Sequence, residues 1–105
     1  MIARIWRGAV RACDAEAYAR YVQETGINGY REIPGNRGAW ALRRIDGDRA
    51  EFVTLSFWDS AEAIEGFAGR DIGQAVFYPE DDRFLIERDL TVRHYEVDPA
   101  EPGPG

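Results

Sequence analysis

The sequence predicts an α+β domain: a ferredoxin-like βαββααβ chain, with a four-stranded antiparallel sheet and its helices on one face. Three observations carry this. Phe52–Trp58 alternates, with β-branched or aromatic residues at most positions, as a half-buried strand does. It runs straight into an Ala-rich segment that reads as a capped helix. And Asp46-Gly47 separates two strand-like runs, which is hairpin chemistry.

In chain order, Ile2 to Val10 reads as the first strand, with Ile2, Arg4, Trp6, Gly8 and Val10 on one face. Neither face is cleanly polar, so both are expected to be at least partly covered. Asp14 is a candidate N-cap for a helix over 15–25. Tyr18, Tyr21, Val22 and Thr25 follow its apolar spacing, and Gly26 ends it. Asn28-Gly29 and Pro34-Gly35-Asn36 are turn chemistry, and Tyr30 is a candidate anchor onto the domain.

Strands over 38–45 and 50–57 pair as the hairpin. A two-residue loop at Asp46-Gly47 would set Arg44 opposite Arg49, whereas a four-residue loop sets Arg44 opposite Glu51. Like charges repel across a pair, so the second register is preferred. Trp40, Leu42, Val53, Leu55 and Phe57 then share one face, expected to lie under the helices. Ala39, Ala41, Arg43, Phe52, Thr54, Ser56 and Trp58 share the other. Phe52 and Trp58 would be wet on an open sheet, and such a patch marks an interface.

Asp59 with Glu62 has capping-box spacing for the next helix, which carries Ile64 and Phe67 on one stripe and closes at Gly69. Asp71 is expected to start a short helix to about Phe77, and Tyr78 to Arg83 an acidic loop. Leu90 to Val97 is the last strand. Both crossovers are expected to be right-handed. Residues 1–98 form the domain. Residues 99–105 have no apolar anchor and are expected to be a disordered tail.

The chain has 105 residues, of which 45% are hydrophobic, and a formal net charge of -6. That is enough for one domain with a folded core. An acidic surface without a basic stripe argues against nucleic acid. No apolar run approaches the roughly 18 residues a membrane helix needs. With no signal peptide visible, a cytoplasmic protein is the expectation. The single Cys13 excludes an intramolecular disulfide and any multi-cysteine metal site.

The sequence resembles the antibiotic biosynthesis monooxygenase family, within the dimeric α/β barrel superfamily. The residues that carry the resemblance are the opening IARIWRG, the PGNRG turn, the TLSFWDSAEAIEGFAG segment and the FYPEDDRFLIERDLTVRHYEV ending. The resemblance implies a homodimer whose two sheets face each other, here through the Phe52 and Trp58 face. It also implies a pocket within each subunit, between sheet and helices, floored by the Trp40 face. The same superfamily holds haem-degrading enzymes and isomerases. Haem-degrading relatives carry an axial histidine after the second helix and an asparagine on the first strand. Neither stands here.

Candidate chemistry follows. His94, the only histidine, is the candidate general base. Trp40, Leu55, Phe67 and Tyr78 are candidate contacts for a small apolar or aromatic substrate. Arg4, Arg43 and Arg93 could hold an anionic substrate, but ion pairs with the many carboxylates are the simpler account. Glu80-Asp81-Asp82 lacks the further spaced ligands of a cation site, so no metal is expected. No flavin, nicotinamide or phosphate motif is present, and no cofactor is expected. The leading functional reading is a cofactor-independent monooxygenase acting on an aromatic or polyketide-like substrate. The alternatives are a non-catalytic ligand-binding or accessory dimer, and an isomerase or cyclase of the same fold.

Overall fold

The structure is a computed structural model that describes residues 1–98; the tail expected at 99–105 lies outside them. Strand β1 (Ile2–Arg11) leads through a 3-10 turn to helix α1 (Ala15–Val22). A π-helical stretch, Gln23–Ile27, carries α1 without a break into α2 (Asn28–Arg31). Strands β2 (Asn36–Asp46) and β3 (Arg49–Trp58) follow, then α3 (Ala61–Ala68), α4 (Asp81–Phe84), β4 (Leu85–Arg88) and β5 (Arg93–Glu96). The strand order is β2-β3-β1-β4, with β5 also on β1, and every pairing is antiparallel. This is the ferredoxin-like order, with helices covering one face.

The fourth column of the sheet is two strands rather than one. β5 lies opposite Ile2–Ile5, and β4 lies opposite Gly8–Val10. Between them the chain leaves β1 to meet the crossover after α3: Gln74 bridges Thr91, and Val92 N–H donates to Gly73 O.

The hairpin has the register preferred on charge, with Arg44 opposite Glu51 and Leu42 opposite Val53. Asp46 and Arg49 also pair, so the loop is Gly47-Asp48. The expected helix boundaries shift. Gly26 does not end the first helix, and Asn28-Gly29 is helical. Asp14 makes no capping bond, because its carboxylate takes Arg11 instead. Ser60, not Asp59, caps α3: its hydroxyl accepts from Ala63 N–H at 3.2 Å. Asp59 pairs with Arg37. The expected helix at 71–77 is irregular chain, and the expected acidic loop contains α4.

The largest correction concerns which face of the sheet is covered. Phe52, Thr54, Ser56 and Trp58 point under the helices; Phe52 is 1% exposed and Trp58 0%. Trp40 and Leu42 lie on the open face, 48% and 50% exposed. The residues grouped by alternation do share a face, but the helices sit on the other one. The core joins Phe52 and Trp58 to Tyr18, Val22, Ile27, Tyr30, Ile64 and Phe84. Tyr18 meets Phe52 edge-on at 5.0 Å, and Tyr30 meets Trp58 at 5.7 Å. Trp58 is kept in this apolar setting by donating its indole N–H to Ser56 Oγ at 2.9 Å.

Candidate functional site

A cavity of about 40 Å³ lies between the covered sheet face and the helices. Its floor is the β1–β3 face, with Arg4, Trp6 and Thr54. One wall is the helical run, with Tyr18, Val22, Thr25, Gly26 and Tyr30. The other is Phe67 with the irregular segment carrying Val76, Phe77 and Tyr78. The π stretch places Thr25 and Gly26 at the wall. Gly29 makes room for the Tyr78 ring, since a Cβ there would sit 3.0 Å from the Tyr78 hydroxyl. Trp6 is fixed by donating its indole N–H to Asp89 O at 2.8 Å, and its ring meets Phe77 edge-on.

Two charged side chains line this mostly aromatic space, and both are buried. Asp81 is 5% exposed. Tyr18 hydroxyl donates to its Oδ1 at 3.0 Å, and Tyr78 N–H donates to its Oδ2 at 2.7 Å. Burial, and then the Asp81 charge, hold the Tyr18 phenol far above its ordinary pKa, so it stays a donor. Burial also raises Tyr78.

Arg4 is 1% exposed. Its Nη1 donates to Ile72 O and to His94 Nε2 (3.1 Å), and its Nη2 donates to Gln74 O at 3.1 Å. Its Nε has no partner, the one such buried side-chain nitrogen or oxygen among the described residues. Among those residues no carboxylate lies within ion-pair distance of Arg4. Arg43 does have one, pairing with Glu16 at 2.8 Å. The ion-pair account therefore fails for Arg4.

The predicted site residues divide. Phe67 and Tyr78 line the cavity. Trp40 and Leu55 do not: they pair with each other across β2 and β3 on the open face. His94 sits on β5 opposite Arg4, beside the cavity rather than in it. A guanidinium only donates, so His94 Nε2 accepts, and the imidazole proton is on Nδ1. Burial and the Arg4 charge keep the ring's pKa below its ordinary value. A neutral ring whose lone pair is occupied by Arg4 supports that arginine; it offers no free base to the cavity. Asp81 went unrecognised because three adjacent carboxylates look like a solvated loop. No helix of the described residues is long and apolar enough to cross a membrane.

No family model matches the chain, and no curated protein does at a significant level. Solved structures do. A putative antibiotic biosynthesis monooxygenase from Bacillus cereus is 17% identical, with a TM-score of 0.66 over 99% of this chain and 97% of that one. A second, from Deinococcus radiodurans, is 18% identical, with a TM-score of 0.62 over the whole of both chains. The heme-degrader MhuD from Mycobacterium tuberculosis, with two hemes in its active site, is 16% identical, with a TM-score of 0.57 over 97% of this chain and 100% of that one. At such identities the likeness establishes architecture: the chain has the ferredoxin-like α+β fold of the antibiotic biosynthesis monooxygenase-type structures.

Proposed function

We propose that the chain is a member of the antibiotic biosynthesis monooxygenase family, and that it oxidises a small aromatic or polyketide-like substrate without a bound cofactor. The observation that carries this is the aromatic cavity with one carboxylate, Asp81, in its wall. An electron-rich phenol or enol that loses its proton can pass one electron to dioxygen. The resulting substrate radical and superoxide combine to a peroxide, which expels water and leaves a new carbonyl. One oxygen atom ends in the product and one in water. The chain's part is to exclude bulk water, accept the proton and hold the substrate anion. Asp81 is the proton acceptor in this reading, since each of its oxygens keeps a free lone pair beside its one bond.

A haem does not fit these residues. The only histidine has its Nε2 occupied by Arg4, and the cavity is far smaller than a macrocycle. The same size favours a second reading. A benzene-sized guest needs roughly 150 Å³, so the site must widen, and the irregular chain at 69–80 is the wall free to yield. A one-ring ligand held without reaction would make the protein a binding module.

The homodimer is proposed through the open face instead of the Phe52 and Trp58 face. Trp40, Leu42 and Tyr95 are each about half exposed there, and an apolar patch of that kind marks a contact between subunits.

Oxygen uptake with a panel of anthrones and quinols tests the monooxygenase reading. Uptake is expected to fall roughly a hundredfold in Asp81→Asn and to persist, weakened, in His94→Ala. No uptake on any panel member refutes it. Ligand-induced thermal stabilisation without uptake supports the binding module, and product formed without oxygen supports an isomerase or cyclase.

A further inference from the structure

A guanidinium carries five N–H donors. In Arg4 three are spent, on Ile72 O, Gln74 O and His94 Nε2, all of them neutral acceptors. The Nε–H has no partner, although the side chain is 1% exposed and lines the cavity. A buried charge without a counter-ion is costly, and folds normally pair it. Here three neutral groups orient the cation, and none neutralises it. The aromatic faces around it give a flat guest somewhere to lie: the guanidinium carbon stands 6.0 Å from the Phe67 ring centre, and Trp6 and Tyr30 line the same space.

The other charge in the cavity does not cancel this one. Asp81 is beyond ion-pair distance from Arg4, and both of its oxygens already accept a bond, from Tyr18 and from Tyr78 N–H. His94 is neutral toward Arg4, since it accepts from it. Burial raises the Tyr18 and Tyr78 phenols, so both keep their protons. The positive charge of Arg4 is therefore the unmet demand of the cavity.

We infer that the cavity is built for an aromatic ligand carrying an oxyanion, which the buried Arg4 guanidinium takes through its unpartnered Nε–H. The carboxylate of an aromatic acid and the oxygen of an ionised phenol share this chemistry. The inference rests on the same cavity as the function proposed above, and not on its oxygen chemistry.

The test is a set of one-ring probes of similar size: benzoate, 4-nitrophenol, benzyl alcohol and benzylamine. Binding is measured by calorimetry on wild type, Arg4→Met and Arg4→Lys. Benzoate is expected to bind wild type at least about tenfold more tightly than benzyl alcohol, with benzylamine weakest. Arg4→Met abolishes that preference, whereas Arg4→Lys retains part of it. 4-Nitrophenol ionises near neutral pH. If phenolates are accepted as well as carboxylates, its binding tightens as pH rises through its ionisation, and a flat profile restricts the site to carboxylates.

Arg4→Met also frees two backbone carbonyls and is at risk of not folding. The ranking of probes on wild type decides the question without it. Benzyl alcohol binding as tightly as benzoate overturns the inference. So does a preference for benzoate that survives in folded Arg4→Met, and so does failure of every probe to bind. Tight benzoate binding without oxygen uptake on any substrate refutes the monooxygenase and leaves the oxyanion site standing.

Discussion

Replacing Phe52 with alanine removes a ring that is 1% exposed and meets Tyr18 edge-on at 5.0 Å. A buried Phe→Ala change costs about 3–5 kcal/mol, from lost transfer energy and the cavity left behind. A domain of this size has only about 5–15 kcal/mol to lose. Leu42→Ala is the control: alternation placed Leu42 in the core, whereas it is half exposed on the open face. In a single folded chain its truncation costs under about 1 kcal/mol.

Urea unfolding at pH 7, followed by tryptophan fluorescence, reads both. With a slope of about 1.5 kcal/mol per molar, Phe52→Ala lowers the midpoint by roughly 2–3 M, and Leu42→Ala by well under 1 M. If Phe52→Ala leaves too little folded protein, Phe52→Leu keeps the comparison with a smaller loss. A cost at Leu42 that shrinks on dilution reports a contact between copies. Equal shifts, or a larger and concentration-independent loss at Leu42, would refute the assignment of faces.

Two further outcomes are expected. Ser60→Ala, which removes the α3 cap, costs about 0.5–2 kcal/mol in the same denaturation assay, whereas Asp59→Ala breaks only the exposed pair with Arg37 and costs under about 1 kcal/mol; the reverse order would restore Asp59 as the cap. His94 has a depressed pKa in the fold, so below about pH 6.5 the unfolded chain binds the proton more readily. Its contribution is complete above that pH and is lost as pH falls toward the folded pKa. The stability advantage of wild type over His94→Asn therefore narrows between pH 7.5 and 5, and a constant difference would show that His94 is not held neutral.

The sequence made the hairpin and its register legible because local rules govern them. Charge alone selected the pairing of Arg44 with Glu51. Alternation also identified which residues share a face, since a pleat leaves no other choice. It could not tell which face the helices cover. The covered face carries Arg4, Thr54 and Ser56, which look like solvent residues; two of them line the cavity, and Ser56 satisfies Trp58. The open face is rich in large apolar side chains. The rule that apolar residues go inside fails at Arg4 and Thr54, the two that border the cavity. Phe67 and Tyr78 were readable as aromatic residues beside a helix and a loop, and both line the cavity. Asp81 was not, because its burial depends on Tyr18, which comes from an element 63 residues earlier.

The π stretch after Val22 has a consequence for the phase of the helical run. The buried positions before it are Ala15, Tyr18 and Val22, and those after it are Ile27 and Tyr30. The step from Val22 to Ile27 is five residues where a regular helix would take three or four. One surplus residue thus lets a continuous rod aim its first half at Phe52 and its second at Trp58. The π stretch that holds the surplus includes Thr25 and Gly26, so the rod departs from α geometry where it borders the cavity. The hollow beside Arg4 and the apparent irregularity in the helix are two sides of one accommodation in the backbone.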